Sequence, residues 1–127
     1  MILGFKKQFV QPIFNGRKIH TIREDKGGRW AIGKKIHFAT GVRTKNYHQF
    51  KTGLCYRTQT IEIRYDNKDS DYPAVIIDGW THRVYHRPNK ILQVAMNDGF
   101  KNLNDFFKWF NSDFKGKIIH WTDFIYQ

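Results

Sequence analysis

The stretch LCYRTQTIEIRY, residues 54–65, is the clearest strand in the chain and decides the class of fold. Cys55, Ile61, Ile63 and Tyr65 fall on one parity, whereas the other parity is mostly polar. Successive side chains of a strand point to opposite faces, so this alternation predicts one buried and one solvated face. The sequence therefore contains at least one half-buried sheet.

Working outward, further strands and short helices flank this stretch. Strands are predicted at MILGF, KIHTIR, KKIHFAT, AVIIDG, WTHRVYHRP and GKIIHWTDFIY, and helices at QFVQPIFN, NKILQVAMNDGF and NLNDFFKWF. Exposed loops are predicted from Val42 to Lys51 and at DNKDSDYP, residues 66–73. This order argues against alternating parallel units and predicts an α+β fold: a small mixed, mostly antiparallel β-barrel with short helices at its ends.

The two predicted helices with aromatic residues have distinct apolar faces. Asn102 or Asn104 is the expected N-cap of the last helix, and Gly16 is suited to end the first. We expect the aromatic residues to pack inward, because leaving them uncovered would expose a large apolar patch. The face of the first helix carries Phe9, Val10, Ile13 and Phe14, and that of the last carries Phe106, Phe107 and Phe110.

Length and composition favour one globular unit. With 127 residues the chain fits a single domain, residues 1–127, which we expect to be a monomer. Hydrophobic residues make up 40% of the chain and aromatic residues 17%, which is enough core material to argue against general disorder.

The charge balance points to an anionic partner. Lys and Arg number 22 against 11 Asp and Glu, giving a formal net charge of +11. A small body with this charge attracts polyanions, so nucleic acid is the first partner to consider. A generally basic surface without a specific partner is the alternative.

The single cysteine and the apolar runs limit the compartment. Cys55 alone excludes an intramolecular disulfide and a zinc site that needs two thiolates. The opening MILGFKKQFV has too few consecutive apolar residues for a signal peptide, and no apolar stretch is long enough to span a membrane. These features predict a cytoplasmic protein that does not bind membranes.

The segment NGRKIHTIRED, residues 15–25, concentrates polar and cationic side chains. It is either an ordinary solvated strand edge or the floor of a site for an anionic or polar ligand. Residues three apart in a regular strand point to opposite faces, so Lys18 and Thr21 share a cleft only under one condition. Lys18 must belong to the turn after Gly16, or the strand must be bulged. The residues concerned are Arg17, Lys18, His20, Thr21 and Arg23.

Four pieces of the sequence resemble the ASCH domain, a relative of the PUA domain. They are GRKIHTIR, IGKKIHF, DGFKNLNDFFKWF and GKIIHWTDF, and the resemblance runs from about Phe5 to Tyr126. It implies a small PUA-like β-barrel with a cleft between the barrel and its helices. The superfamily is associated with RNA binding, RNA modification and translation, which implies RNA or a modified nucleoside as partner.

Some small bacterial ASCH proteins are N4-acetylcytidine amidohydrolases with a Lys and a Thr in a GRK-plus-T segment and a Glu further on. The resemblance places Lys18 and Thr21 on the first two positions and Asp98, one methylene shorter than Glu, on the third. Amide hydrolysis would use Thr21 as nucleophile, Lys18 as proton acceptor and Asp98 to assist the leaving amine. A lysine acting as base needs its pKa lowered by roughly three units from about 10.4, for which Arg17 and Arg23 offer positive charge.

The leading functional hypothesis is an RNA- or nucleoside-binding domain with a positively charged cleft containing Lys18, Thr21 and Arg23. The alternatives are the amidohydrolase and a metal-independent ribonuclease. If the site is only a strand edge, Lys18 is solvated and Arg23 pairs with a surface acid. The other expected ligand contacts are Arg17, His20, Trp30, Trp80 and, for phosphates, Arg43, Lys45 and Lys51.

Other candidate sites are weaker. His82 and His86 are four apart in a predicted strand, which gives no compact metal-ligand pair, and no third ligand is suggested. Gly27 and Gly28 lack the spacing of a phosphate loop, so no cofactor is expected. Trp109 and Trp121 are predicted to be core residues, as is Cys55.

Overall fold

Two β-sheets and three short α-helices make up the computed structural model, which describes residues 1–67 and 71–127. The fold is α+β and most strand pairs are antiparallel, as the sequence predicts. The strands are β1 (Ile2–Gly4), β2 (His20–Arg23), β3 (Lys35–Thr40), β4 (His48–Leu54), β5 (Arg57–Arg64), β6 (Ala74–Ile77), β7 (Trp80–His82) and β8 (Phe114–His120). The α-helices are α1 (Val10–Phe14), which follows a 3₁₀ turn at Lys7–Phe9, α2 (Pro88–Asn97) and α3 (Leu103–Trp109).

The strand order is β1-β3-β4 in one sheet and β2-β8-β5-β6-β7 in the other. β1 and β3 pair in parallel, and the remaining pairs are antiparallel. The chain passes from the first sheet to the second through Cys55 and Tyr56, which separate β4 from β5. The predicted single strand over residues 54–65 is therefore two strands with a corner between them, and Tyr65 lies beyond the end of β5 and is exposed.

Local signals explain most of these elements. Pro88 occupies the first turn of α2, where its missing N–H costs nothing, and Ile91, Val94 and Ala95 form the buried face. The side chain of Asn102 accepts a hydrogen bond from the Asp105 N–H at 2.8 Å, so the predicted cap of α3 is confirmed.

The turn between β6 and β7 also follows from its residues. Asp78 and Gly79 both adopt positive φ, at 49° and 83°. This two-residue Asp-Gly turn matches the twist of an antiparallel hairpin. Of the predicted strand WTHRVYHRP, only Trp80–His82 forms β7, which pairs antiparallel with β6 and places Val75 opposite His82.

Two predictions about exposure and loops are wrong. The segment from Val42 to Lys51 is not entirely a loop, because β4 begins at His48 and pairs with β3. Its side chains are mostly exposed on both faces, so it lacks the apolar alternation that marks a half-buried strand. Phe14, expected on the buried face of α1, is 55% exposed. Part of the predicted loop 66–73 lies outside the described residues, at 68–70.

The apolar faces of the two sheets share one core. Phe38 of β3 and Trp121, which follows β8, pack edge to face with ring centroids 4.9 Å apart. Phe5 stacks on Phe38 at 5.7 Å and also contacts Trp121 at 6.0 Å. Aromatic pairs of this kind hold the first sheet against the second and place the residues after β1 beside β2. None of the helices in the described ranges is long and apolar enough to cross a membrane.

Candidate functional site

A hollow of about 370 Å³ opens between the start of the chain, β2 and the connection from α2 to α3. Its walls are rich in aromatic rings and its floor carries Lys18, Thr21, Arg23 and Asp98. We call it the aromatic pocket; it is lined by Gly4, Phe5, Lys6, Phe9, Lys18, Thr21, Ile22, Arg23, Val42, Asp98, Phe100, Trp109 and Phe110.

Lys18 reaches this pocket because it precedes the regular strand. Gly16 has φ of 79°, a left-handed conformation that ends α1, and the Lys18 N–H donates to the Pro12 carbonyl at 2.9 Å. β2 begins only at His20. Lys18 and Thr21, three residues apart, can therefore line the same pocket because Lys18 lies in the turn before β2. This is one of the two arrangements predicted from the sequence.

Asp98 is brought to Lys18 by a backbone link. The Ile19 N–H donates to the Asn97 carbonyl at 2.9 Å, which ties the entry of β2 to the end of α2. Lys18 Nζ then donates to Asp98 Oδ1 at 3.1 Å and to the Asp98 carbonyl oxygen. The structure therefore places all three residues of the predicted catalytic set in one pocket.

The Lys18 amine is almost completely removed from water. Lys18 is 2% exposed and Asp98 is 3% exposed. The remaining surroundings of Nζ are aromatic, with the ring centres of Phe9 and Phe5 at 4.7 and 5.7 Å. Burial lowers the pKa of Lys18, and nearby Arg23 lowers it further, while Asp98 opposes both effects. The site thus favours the neutral amine more than water does.

Arg23 holds Thr21 in place. Its Nε donates to Thr21 Oγ1 at 3.0 Å, and its Nη2 donates to the Gly4 carbonyl oxygen. The guanidinium also lies over the Phe5 ring, 5.0 Å from its centre. Because Thr21 Oγ1 accepts a hydrogen bond from a cation, negative charge developing on that oxygen would be stabilised. Arg23 is therefore oriented by β1 and not by a surface acid.

His20 does not line the pocket, contrary to its predicted role as a ligand contact. Its side chain is fully buried behind Asp98, with Nδ1 at 3.3 Å from Asp98 Oδ1 and Nε2 at 2.6 Å from the Tyr126 hydroxyl. Asn97 Nδ2 donates to the same hydroxyl at 3.0 Å. With the Nδ1–H donating to the carboxylate, Nε2 accepts from Tyr126, and the bonds form one consistent chain. Burial lowers the pKa of His20, which keeps the ring neutral.

Sequence analysis missed Tyr126 and Asn97 as supports of the site. Neither belongs to a motif, and Tyr126 lies 106 residues from His20 along the chain. A buried polar chain of this kind is visible only once the end of the polypeptide is packed against β2. It fixes the Asp98 carboxylate from the side opposite the pocket.

A second hollow of about 480 Å³ lies beside the aromatic pocket. Phe100 and Trp109 line both hollows, and Arg17, predicted to contact ligand, is at the second one. Arg17 Nη2 donates to the Gly99 carbonyl at 3.4 Å. We call this hollow the basic cleft; it is lined by Gln8, Arg17, Gly99, Phe100, Lys101, Asp105, Lys108 and Trp109.

The tryptophans are distributed differently from expectation. Trp30, predicted at an exposed loop position for stacking, is part of the hydrophobic core at 7% exposure. Its backbone N–H donates to the Asp25 carboxylate at 3.0 Å. Trp80 is 73% exposed, at a separate hollow with Tyr126. Trp109, predicted to be core, is 45% exposed and lines the aromatic pocket. Because α3 also carries several Phe residues, the sequence did not indicate that Trp109 would be exposed.

The predicted phosphate contacts of the 42–51 segment lie elsewhere. Arg43 and Lys45 are exposed in the connection from β3 to β4, and Lys51 is on β4 with Nζ 5.7 Å from the Phe38 ring centre. None of the three lines the aromatic pocket or the basic cleft.

The described residues contain no group of three or more His, Cys, Asp or Glu side chains placed to hold a metal ion. Cys55 is buried in the core as predicted. Comparison of the chain with models of protein families, with curated proteins and with solved structures gave no match.

Proposed function

We propose that this chain binds a nucleoside or an RNA nucleotide in the aromatic pocket, as an ASCH-type domain of the PUA-like superfamily. In this proposal the two sheets are the walls of a small β-barrel, and the pocket is the cleft between barrel and helices. The α+β architecture with mostly antiparallel strands supports it, as does the location of the pocket at the GRKIHTIR segment.

One observation carries the proposal: aromatic walls enclose a polar, cationic floor. A nucleobase is a flat ring with carbonyl and amino groups at its edge, and it gains by stacking on aromatic side chains while its edge finds donors. Trp109 and Phe100 offer ring surface, and Thr21 and Arg23 offer polar groups. The volume of about 370 Å³ lies in the usual range of small-ligand pockets.

Binding of nucleosides tests this proposal. Isothermal titration with the four ribonucleosides and N4-acetylcytidine is expected to show binding of at least one, and Trp109→Ala is expected to weaken it by about 1–3 kcal/mol. Trp80→Ala is the matched control, because Trp80 is also exposed but lies at a different hollow. Equal weakening by both substitutions, or no binding by the unaltered protein, would refute the proposal.

A second candidate function is the hydrolysis of N4-acetylcytidine. The observation that favours it is the buried Lys18 amine beside Asp98 in the pocket that also contains Thr21. Because burial lowers the pKa of Lys18, its neutral form is more accessible as a proton acceptor than that of an ordinary solvated lysine.

In this reaction the Thr21 oxygen attacks the acetyl carbonyl carbon and its proton passes to the neutral Lys18 amine. Asp98 holds the resulting ammonium, which returns the proton to the N4 nitrogen as cytidine leaves. Water then hydrolyses the acetyl ester on Thr21, releasing acetate. Arg23 stabilises charge on the threonine oxygen through its 3.0 Å hydrogen bond.

Incubation with N4-acetylcytidine, followed by chromatography for cytidine and acetate, tests the reaction. Thr21→Val keeps the shape and removes the nucleophile, so turnover should vanish, whereas Thr21→Ser should retain part of it. Lys18→Met should also abolish turnover, while Lys45→Met, at an exposed position that lines neither hollow, should not. Turnover that persists in Thr21→Val would refute the assigned roles. Cleavage of an RNA strand without added metal, in place of deacetylation, would favour a ribonuclease.

A further inference from the structure

We infer that the ligand of the aromatic pocket carries a phosphate and that the basic cleft binds this phosphate. The inference rests on the proposed nucleoside binding and narrows it from a free nucleoside to a nucleotide or a nucleotide unit of RNA.

The positive charge of the basic cleft favours the binding of an anion. Arg17, Lys101 and Lys108 line it against the single carboxylate of Asp105. Among the described residues, none of the three cations forms an ion pair. The guanidinium of Arg17 is positioned by the Gly99 carbonyl and retains further N–H donors. Unpaired cations around one hollow suit a phosphate group.

The basic cleft is close enough to the aromatic pocket for one ligand to occupy both. Phe100 and Trp109 line both hollows, so the aromatic pocket and the basic cleft are adjacent. In a nucleotide the ribose separates the base from the phosphate, and the two ends can therefore occupy neighbouring hollows. A base beside Trp109 would direct the sugar and its phosphate toward Arg17 and Lys101.

The chain offers a matched control for this assignment. The triple variant Arg17→Gln, Lys101→Gln, Lys108→Gln removes three positive charges from the cleft. The triple variant Arg43→Gln, Lys45→Gln, Lys51→Gln removes the same charge from residues that line neither hollow. The two variants therefore have the same net charge and differ in whether the removed charges line the cleft.

Titrations at fixed ionic strength with cytidine and adenosine, and with their 5′- and 3′-monophosphates, test the inference. The unaltered protein should bind a monophosphate about tenfold or more tightly than its nucleoside. The cleft variant should lose this difference while keeping its affinity for the nucleoside, and the control variant should keep both. The better of the two monophosphates identifies the ribose oxygen that carries the phosphate.

Two results overturn the inference alone: equal binding of nucleoside and monophosphate, or an equal loss in both triple variants. Failure of all probes to bind the unaltered protein overturns the proposed function together with the inference.

Discussion

The Lys18 amine is almost completely buried at the floor of the aromatic pocket, and it has few partners. A carboxylate, a carbonyl oxygen and two aromatic rings surround it. Removing two charges from water carries a desolvation penalty that offsets much of their Coulombic attraction. A buried ion pair is therefore weak evidence for a stabilising role. Breaking it, however, leaves Asp98 as a buried carboxylate whose remaining side-chain hydrogen bond, among the described residues, is with the neutral His20. Removal of one member of the pair should therefore destabilise the protein more than the intact pair stabilises it.

Lys18→Met is expected to lower the free energy of unfolding by about 3–5 kcal/mol, because the Asp98 carboxylate loses its cation. Urea titration followed by tryptophan fluorescence measures this change. The double variant Lys18→Met, Asp98→Asn should be more stable than Lys18→Met, since the amide is neutral and still accepts from His20. Lys101→Met, at an exposed position, should change little. A loss below about 1 kcal/mol for Lys18→Met would contradict this account.

The residue types of the pocket floor could be predicted because they lie in one short segment. Lys18, Thr21 and Arg23 follow each other closely, and local turn geometry decides which way they point. His20 could not be predicted in the same way, since strand parity and burial place it behind the floor. Tyr126 could not be predicted at all, because a hydrogen bond between distant residues leaves no local pattern.

At the scale of elements, the connection from α2 to α3 shapes the pocket through Gly99. Its φ of 96° is a left-handed conformation, and a Cβ there would lie 3.0 Å from Lys18 Cδ and 3.0 Å from Phe9 Cδ1. Glycine thus permits both the turn after α2 and the close passage of the Lys18 side chain.

Gly99→Ala is expected to destabilise the protein more than Gly28→Ala. Both residues have positive φ, so each substitution costs about 1–2 kcal/mol for the backbone conformation. Gly28 has nothing within 4 Å of the added atom, whereas Gly99 meets Lys18 and Phe9. Thermal unfolding of the two variants measures the difference. Equal midpoints would show that the contact with Lys18 is unimportant.

Elements with an apolar pattern or a cap were predictable, and those without were not. The alternation in β5 and the Asn102 cap identify their elements directly. β4 is an edge strand with little buried surface, so its residues resemble a polar loop. The corner at Cys55 escaped prediction because Cys55 keeps the parity of the strand that follows it.

At the scale of the molecule, a neutral histidine is buried among the second sheet and the residues that follow β8. His120 of β8 contacts Gln59 Oε1 through Nε2 at 3.0 Å, and its Nδ1 has no hydrogen-bond partner among the described residues. Burial lowers the pKa of His120 to about 3, with a further contribution from His20. A proton on this ring would bring an unpaired charge into the core.

Stability is therefore expected to fall on acidification. Between about pH 6.5 and 3 the unfolded chain binds a proton at residue 120 that the folded protein does not, so the free energy of unfolding decreases as pH decreases. The contribution of one such group reaches about 1.4 kcal/mol per pH unit. Urea titrations from pH 7.5 downward should show a shallower slope for His120→Gln, and an unchanged slope for the exposed control His86→Gln. Identical slopes for all three proteins would contradict the expectation.

The class of fold could be predicted from the sequence, but the way in which the two sheets pack together could not. The order of strands and helices predicts an α+β fold with mostly antiparallel strands, which the two sheets confirm. How the sheets meet depends on ring contacts such as Phe38 with Trp121, and on the corner between β4 and β5. Such contacts depend on side-chain packing across long sequence distances, which periodicity does not encode.

The hydrogen bond from Tyr126 to His20 also has a consequence for biosynthesis. The ribosome makes the segment with Lys18 and Thr21 before Tyr126, so the support behind Asp98 is complete only after residue 126 has left the exit tunnel. A nascent chain that has not yet reached this residue has Asp98 without the Tyr126–His20 hydrogen bond. The pocket is therefore completed only after the segments that carry Lys18, Thr21, Arg23 and Asp98 have been synthesised.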